Sequence, residues 1–141
     1  MILLVDDERG RMASHVMQLE MSGYQVKSIA TVDDALAYLE AHGGEIQLLI
    51  LDIMMASGNS FTRSETMDGL RTGLEFYKRV RQQMPDLPVV VFTNVTHETV
   101  VRSLRQEKNC RVLLKPNYLP SEFRDEVRAI LSRPSALTTD T

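Results

Sequence analysis

The sequence predicts an α/β protein, a doubly wound five-stranded parallel sheet with helices on both faces. Three observations predict it. Short, wholly apolar runs such as ILLV at 2–5, LLIL at 48–51 and VVVF at 89–92 have the length and continuity of strands buried on both sides. Amphipathic stretches of helical period lie between them. The two kinds of segment alternate five times along the chain, as parallel strands joined by crossover helices must.

Ile2–Val5 is the first strand, and Met12, Val16 and Leu19 then repeat at helical spacing until Gly23. Tyr24–Ile29 reads as the second strand. Thr31 can cap the helix that follows, with Asp34 three residues on. Leu36 and Leu39 face inward along that helix, and Gly43-Gly44 ends it. Ile46–Leu51 is the third strand. Beyond a polar stretch, Leu74, Tyr77, Val80 and Met84 share one helical face. Pro85 and Pro88 bracket a turn into the fourth strand. Val100, Val101 and Leu104 mark a further helix, Val112–Leu114 a short fifth strand, and Pro120-Ser121 opens a last helix with Phe123, Val127 and Ile130 aligned. The final stretch, SRPSALTTDT, lacks apolar periodicity and is expected to be frayed.

With 141 residues the chain is sized for one domain with a substantial core. A net charge of −3 supplies no electrostatic ground for direct nucleic-acid binding. A lone cysteine, Cys110, cannot form an internal disulfide, and no Cys/His spacing suggests zinc. No apolar run is long enough for a membrane span. A cytoplasmic location is the expectation.

In open parallel sheets, sites form beyond the carboxyl ends of the strands. Asp6 and Asp7 follow the first strand, Asp52 the third, Thr93 the fourth, and Lys115-Pro116 the fifth. Three clustered carboxylates repel and raise one another's pKa values. A hard divalent cation relieves that conflict, and an oxygen-only set with room for water suits Mg²⁺. Lys115 adds a second counter-charge, worth roughly 4 kcal/mol to an anion at ~4 Å and an effective dielectric of ~20, before desolvation. The set suits phosphoryl transfer, in which positioning and charge neutralisation do most of the catalysis. Asp52 stands alone on its strand and is the natural carboxylate nucleophile. Asp6 and Asp7 are better placed to hold metal, and Thr93 can hydrogen-bond a phosphoryl oxygen.

VDDE at 5–8, LILDIMM at 49–55, VFTN at 91–94 and LLKP at 113–116 resemble, in order and spacing, the receiver domain of two-component response regulators. The resemblance covers residues 2 to 131. It implies a flavodoxin-like strand order 2-1-3-4-5, a receiver domain over 1–131 and a flexible tail at 132–141. It also implies that Asp52 is the phosphoacceptor, and that Asp6, Asp7, Asp52 and the backbone carbonyl of Met54 hold Mg²⁺. Thr93 would be the switch hydroxyl and Lys115 the phosphoryl-contacting lysine, with Pro116 shaping the bond after it. The partners implied are a histidine kinase or phosphotransfer protein and a downstream protein target. A homodimer is compatible. The expectation is a single-domain regulator that signals by a phosphorylation-dependent surface change.

Three departures stand out. Val112 occupies a position that is usually aromatic in the family, so no ring there can act as the switch. Asn94 stands where a small residue is common, which narrows access to the phosphoryl site. The helix-opening Gly73-Leu74-Glu75 follows Asp52 by 73 − 52 = 21 positions, against about eight in the family, where connections of this βα class are short. An insertion at about 56–72 accounts for the difference, and it is expected to serve as a partner-recognition element or partial lid. MDGL at 67–70 offers a competing alignment but would make the third helix awkwardly long.

Two rival functions remain open at this point. A haloacid-dehalogenase-type phosphatase also uses an Asp nucleophile with Mg²⁺, but its D-x-D pattern would place an acid where this chain has Met54. A pseudo-receiver would keep the fold and act through contacts alone. Each site residue also has a bland reading, since Asp6-Asp7 can cap a helix and Lys115 can be a surface lysine. His15, His42 and His97 read as surface or helix-flank residues, Cys110 as a small hydrophobe, and the Lys78-Arg79-Val80-Arg81 stretch as a solvated face.

Overall fold

A computed structural model describes residues 1–53, 72–94 and 98–132. Met54, His97, the tail from 133 and the expected insertion up to residue 71 lie outside the described residues. Thr72, the last residue of that expected insertion, opens a helix.

Five parallel strands, β1 (Ile2–Val5), β2 (Val26–Ile29), β3 (Leu48–Leu51), β4 (Val89–Thr93) and β5 (Cys110–Leu114), form one sheet in the order β2-β1-β3-β4-β5. The helices are α1 (Ala13–Met21, entered through a 3-10 turn at Arg9–Met12), α2 (Val32–His42), α3 (Thr72–Gln83), α4 (Glu98–Arg105) and α5 (Pro120–Leu131). The expected strand order is the observed one.

Strand alternation divides the core in two. Leu3, Val5, Leu49, Leu51, Val91 and Val112 pack on one face against residues of α2, α3 and α4. Ile2, Leu4, Ile50, Phe92 and Leu113 pack on the other face against α1 and α5. β1 and β3 are buried at every position, which explains their unbroken apolar sequences.

The local signals hold in detail. Thr31 Oγ1 accepts from the Asp34 N–H at 3.2 Å and starts α2. Gly23, with φ +96°, turns the chain out of α1. Glu122 accepts from the Leu119 N–H at 2.8 Å at the start of α5. β2 and β3 each begin two residues later than expected, where the Tyr24 and Ile46 N–H groups donate back to the carbonyls of Leu19 and Gly43. β5 begins two residues earlier than expected. Cys110 and Arg111 pair with Val89 and Val90, but an exposed arginine in an ion pair with Glu126 hides the strand pattern.

Two expectations are corrected. Arg81 is not on a solvated face. Its guanidinium donates to the carbonyls of Met84, Pro85, Leu87, Lys108 and Asn109, tying the end of α3 to the segments leading into β4 and β5. His15 is not a surface residue. Its ring packs edge-on against Phe92 and Phe123 at 5.3 and 5.4 Å between centroids, half-buried between α1, β4 and α5.

Candidate functional site

Sheet register assembles the site. Val5 pairs with Leu51, so Asp6 and Asp52 stand side by side one step beyond the two central strands. Leu51 pairs with Val91, two residues before Thr93, and Thr93 pairs with Leu114, immediately before Lys115. Four candidate side chains distant in sequence thus arrive at one edge through strand register alone.

Asp6, Asp52 and Thr93 are all buried, at 1%, 4% and 0% exposure. Isolated ionised groups at such depth would be costly, so their partners decide whether they stay charged. Lys115 Nζ donates to Asp6 Oδ2 at 2.8 Å and to Asp52 Oδ2 at 3.0 Å. Thr93 Oγ1 donates to Asp52 Oδ1 at 2.7 Å. The Glu8 N–H donates to Asp6 Oδ1 at 2.7 Å. One ammonium therefore bridges two carboxylates, and each carboxylate has a further donor on its other oxygen. Burial disfavours the charge on Lys115, but the hydrogen bond to Asp6 and the charge of Asp52 outweigh it and hold the ammonium above its ordinary pKa.

Asp7 points outward and is exposed. Partial burial, then repulsion from Asp6, Asp52 and Glu8, raises its pKa. Carboxylate oxygens of Asp6, Asp7 and Glu8 lie within 4.8 Å of one another. An oxygen-only donor set whose members repel one another fits a hard divalent cation. Glu8 belongs to that set, although the sequence reading assigned it no role. Its adjacency to Asp6-Asp7 was the available signal, obscured because a third consecutive acid also reads as helix-start charge.

Asn94 is exposed beside Thr93, and Pro116 is exposed in the 3-10 turn Lys115–Asn117. Val112 is a core residue, 8% exposed and paired with Val91. Cys110 is no candidate for chemistry, because burial pushes its thiol up to about 11.

The fold brings acids, a hydroxyl and a lysine together at one edge of a parallel sheet. The model of the response regulator receiver domain matches residues 2–128, and the chain belongs to that family. Among curated proteins it is 29% identical over 132 residues to the alkaline phosphatase synthesis transcriptional regulatory protein PhoP of Bacillus subtilis, a match covering 94% of this chain and 48% of PhoP. It is 26% identical over 115 residues to the sensor kinase CckA of Brucella abortus, covering 82% of this chain and 11% of the kinase. The chain thus spans about half the length of one relative and about a tenth of the other.

Among solved structures, a CheY-like receiver domain protein from Methanospirillum hungatei superposes with TM-score 0.74 at 21% identity, covering 99% of this chain and 97% of that one. The NtrX receiver domain from Brucella abortus gives 0.75 at 22%, covering 95% and 100%. At these identities the likeness is one of fold. No helix among the described residues is long and apolar enough to cross a membrane.

Proposed function

We propose that this domain accepts a phosphoryl group on Asp52 and signals through the surface rearrangement that follows. The observation that carries this reading is the placing of Asp52. It is a buried carboxylate bonded on one oxygen by Lys115 and on the other by Thr93, with Asp6 beside it. An oxygen of Asp52 attacks phosphorus while the bond from phosphorus to the donor's leaving group breaks, giving an aspartyl-phosphate. Lys115 then orients a phosphoryl oxygen by its charge. The Thr93 hydroxyl turns from the carboxylate to another phosphoryl oxygen, and that turn moves the end of β4. Asp6, Asp7 and Asp52, with Glu8 nearby and the Met54 carbonyl outside the described residues, would hold Mg²⁺. The cation would supply charge neutralisation for the transferred group.

The donor is a histidine kinase or phosphotransfer protein, and the setting is cytoplasmic. Met17 and Met21 on α1 and Leu119 before α5, at 59%, 75% and 65% exposure, give a protein partner apolar contact. Incubation with Mg²⁺ and acetyl phosphate, followed by intact-mass measurement, tests the reading. Wild type should gain one phosphoryl group and Asp52→Ala none. Equal labelling of the two would remove Asp52 from the role.

A further inference from the structure

We infer that Gly73 is a positioning residue for Asp52: lacking a side chain, it lets α3 seat directly on the Asp52–Ile53 backbone, and that seating sets where the carboxylate stands. The inference rests on the reading of Asp52 as phosphoacceptor.

Ile53 lies two residues beyond the end of β3, and Thr72, 72 − 53 = 19 positions on, opens α3. The Gly73 N–H donates to the Ile53 carbonyl at 2.6 Å, so α3 begins against the chain two residues past β3. A Cβ on Gly73 would collide with the Asp52 carbonyl oxygen and Ile53 Cα and lie 2.9 Å from the Asp52 carbonyl carbon. These are backbone atoms and cannot rotate aside. Gly73 does not have the positive φ that marks Gly23, so space rather than conformation demands glycine here.

Neither side of the contact yields easily. α3 cannot retreat, because Leu74, Phe76, Tyr77 and Val80 are all buried in the core. On its other side Asp52 is held by its N–H bond to the Val5 carbonyl at 3.1 Å. A wedge at Gly73 therefore displaces the Asp52 peptide and carries its carboxylate away from Thr93 and Lys115.

The test compares Gly73→Ala with Leu74→Ala, which loosens the same helix without wedging the acceptor. Phosphorylation by acetyl phosphate with Mg²⁺ is measured on the full chain where circular dichroism shows it folded. For Gly73→Ala the maximal rate should fall roughly 10- to 100-fold, the scale of a misplacement of about 1 Å, with the half-saturating donor concentration changed less than about threefold. Leu74→Ala should keep its maximal rate within about threefold of wild type. A normal rate in Gly73→Ala, or equal slowing in both variants, overturns the inference.

If Gly73→Ala does not fold, the assay is repeated in trimethylamine oxide, which favours burial. A chain still unfolded there overturns the inference too, because the glycine then serves the whole fold. Should wild type take up no phosphate, the acceptor reading fails, and the amide signals of Thr93 and Lys115 decide the positioning. Displacement in Gly73→Ala but not in Leu74→Ala supports it, and unmoved signals overturn it.

Discussion

Thr93 gives its hydroxyl hydrogen to Asp52, Oγ1 to Oδ1 at 2.7 Å, with both residues buried. A switch hydroxyl is thus already engaged with the group whose modification it would report. Phosphorylation would not attract an idle side chain. It would move an existing bond from a carboxylate oxygen to a phosphoryl oxygen, and on the reading proposed above the displacement at the end of β4 would be the signal.

Thr93→Val keeps the volume and removes the donor. The buried Asp52 oxygen then loses a hydrogen bond to a charged acceptor, at a cost of about 1.5–3 kcal/mol. The melting temperature should fall by roughly 4–10 °C for a domain of this size. Asp52 should still take up phosphate, but the phosphate-dependent amide shifts along α4 should vanish. An unchanged melting temperature would show that the bond contributes nothing to the fold.

Lys115→Ala removes the cation shared by two buried carboxylates. Breaking one side of a buried ion pair leaves uncompensated charge and costs about 3–5 kcal/mol. Because Asp6 and Asp52 are then left facing each other, Mg²⁺ should stabilise this variant more than wild type. Thermal melts with Mg²⁺ and with chelator measure the two increments. Equal increments would mean that lysine and metal do not share these carboxylates. Phosphorylation should persist, slowed, while the switch fails.

Asp7→Asn should act in the opposite sense. Burial and the charges of Asp6, Asp52 and Glu8 raise the Asp7 pKa in the folded state. A carboxyl raised in this way favours folding below its unfolded pKa of about 3.9 and opposes it once pH rises through the folded value. In chelator at neutral pH, Asp7→Asn should therefore melt higher than wild type. The advantage should shrink as pH falls through the folded value and close below about 3.9, where Asp7 is protonated in both states. Mg²⁺ affinity should drop. A lower melting temperature in chelator at pH 7 would contradict this.

The strands and the site were legible for the same reason. Asp6, Asp52, Thr93 and Lys115 each follow an apolar run directly, and in a parallel sheet the ends of such runs meet. What the sequence hid were side chains whose neighbours come from distant segments. Arg81 looks like one more charge in a basic stretch, and only the fold shows that Met84, Pro85, Leu87, Lys108 and Asn109 bring their carbonyls to it. Gly73 was noticed as a helix opener, but its tight contact with the Asp52 backbone depends on a packing distance that no local pattern encodes. His15 was misread because a histidine between Ser14 and Val16 carries no sign of the two phenylalanines that flank its ring.

His15 yields the last prediction. Its ring is wedged between Phe92 and Phe123, and its Nδ1 is buried with no hydrogen-bond partner among the described residues. Burial, then the Lys115 ammonium, lowers its pKa, while Asp6 opposes that shift. A histidine lowered in the fold binds fewer protons there than in the unfolded chain. Stability from this residue is therefore complete above its unfolded pKa of about 6.5 and is lost as pH falls from there through the folded value. His15→Leu keeps an apolar side chain against the two rings and removes the titration. Wild type should lose melting temperature between neutral pH and about pH 5, and His15→Leu should lose less over that interval. The comparison is best made in chelator, so that metal release from the carboxylates does not contribute. Parallel curves for the two proteins would show that His15 takes up its proton as readily in the fold as in the unfolded chain, and would overturn the prediction.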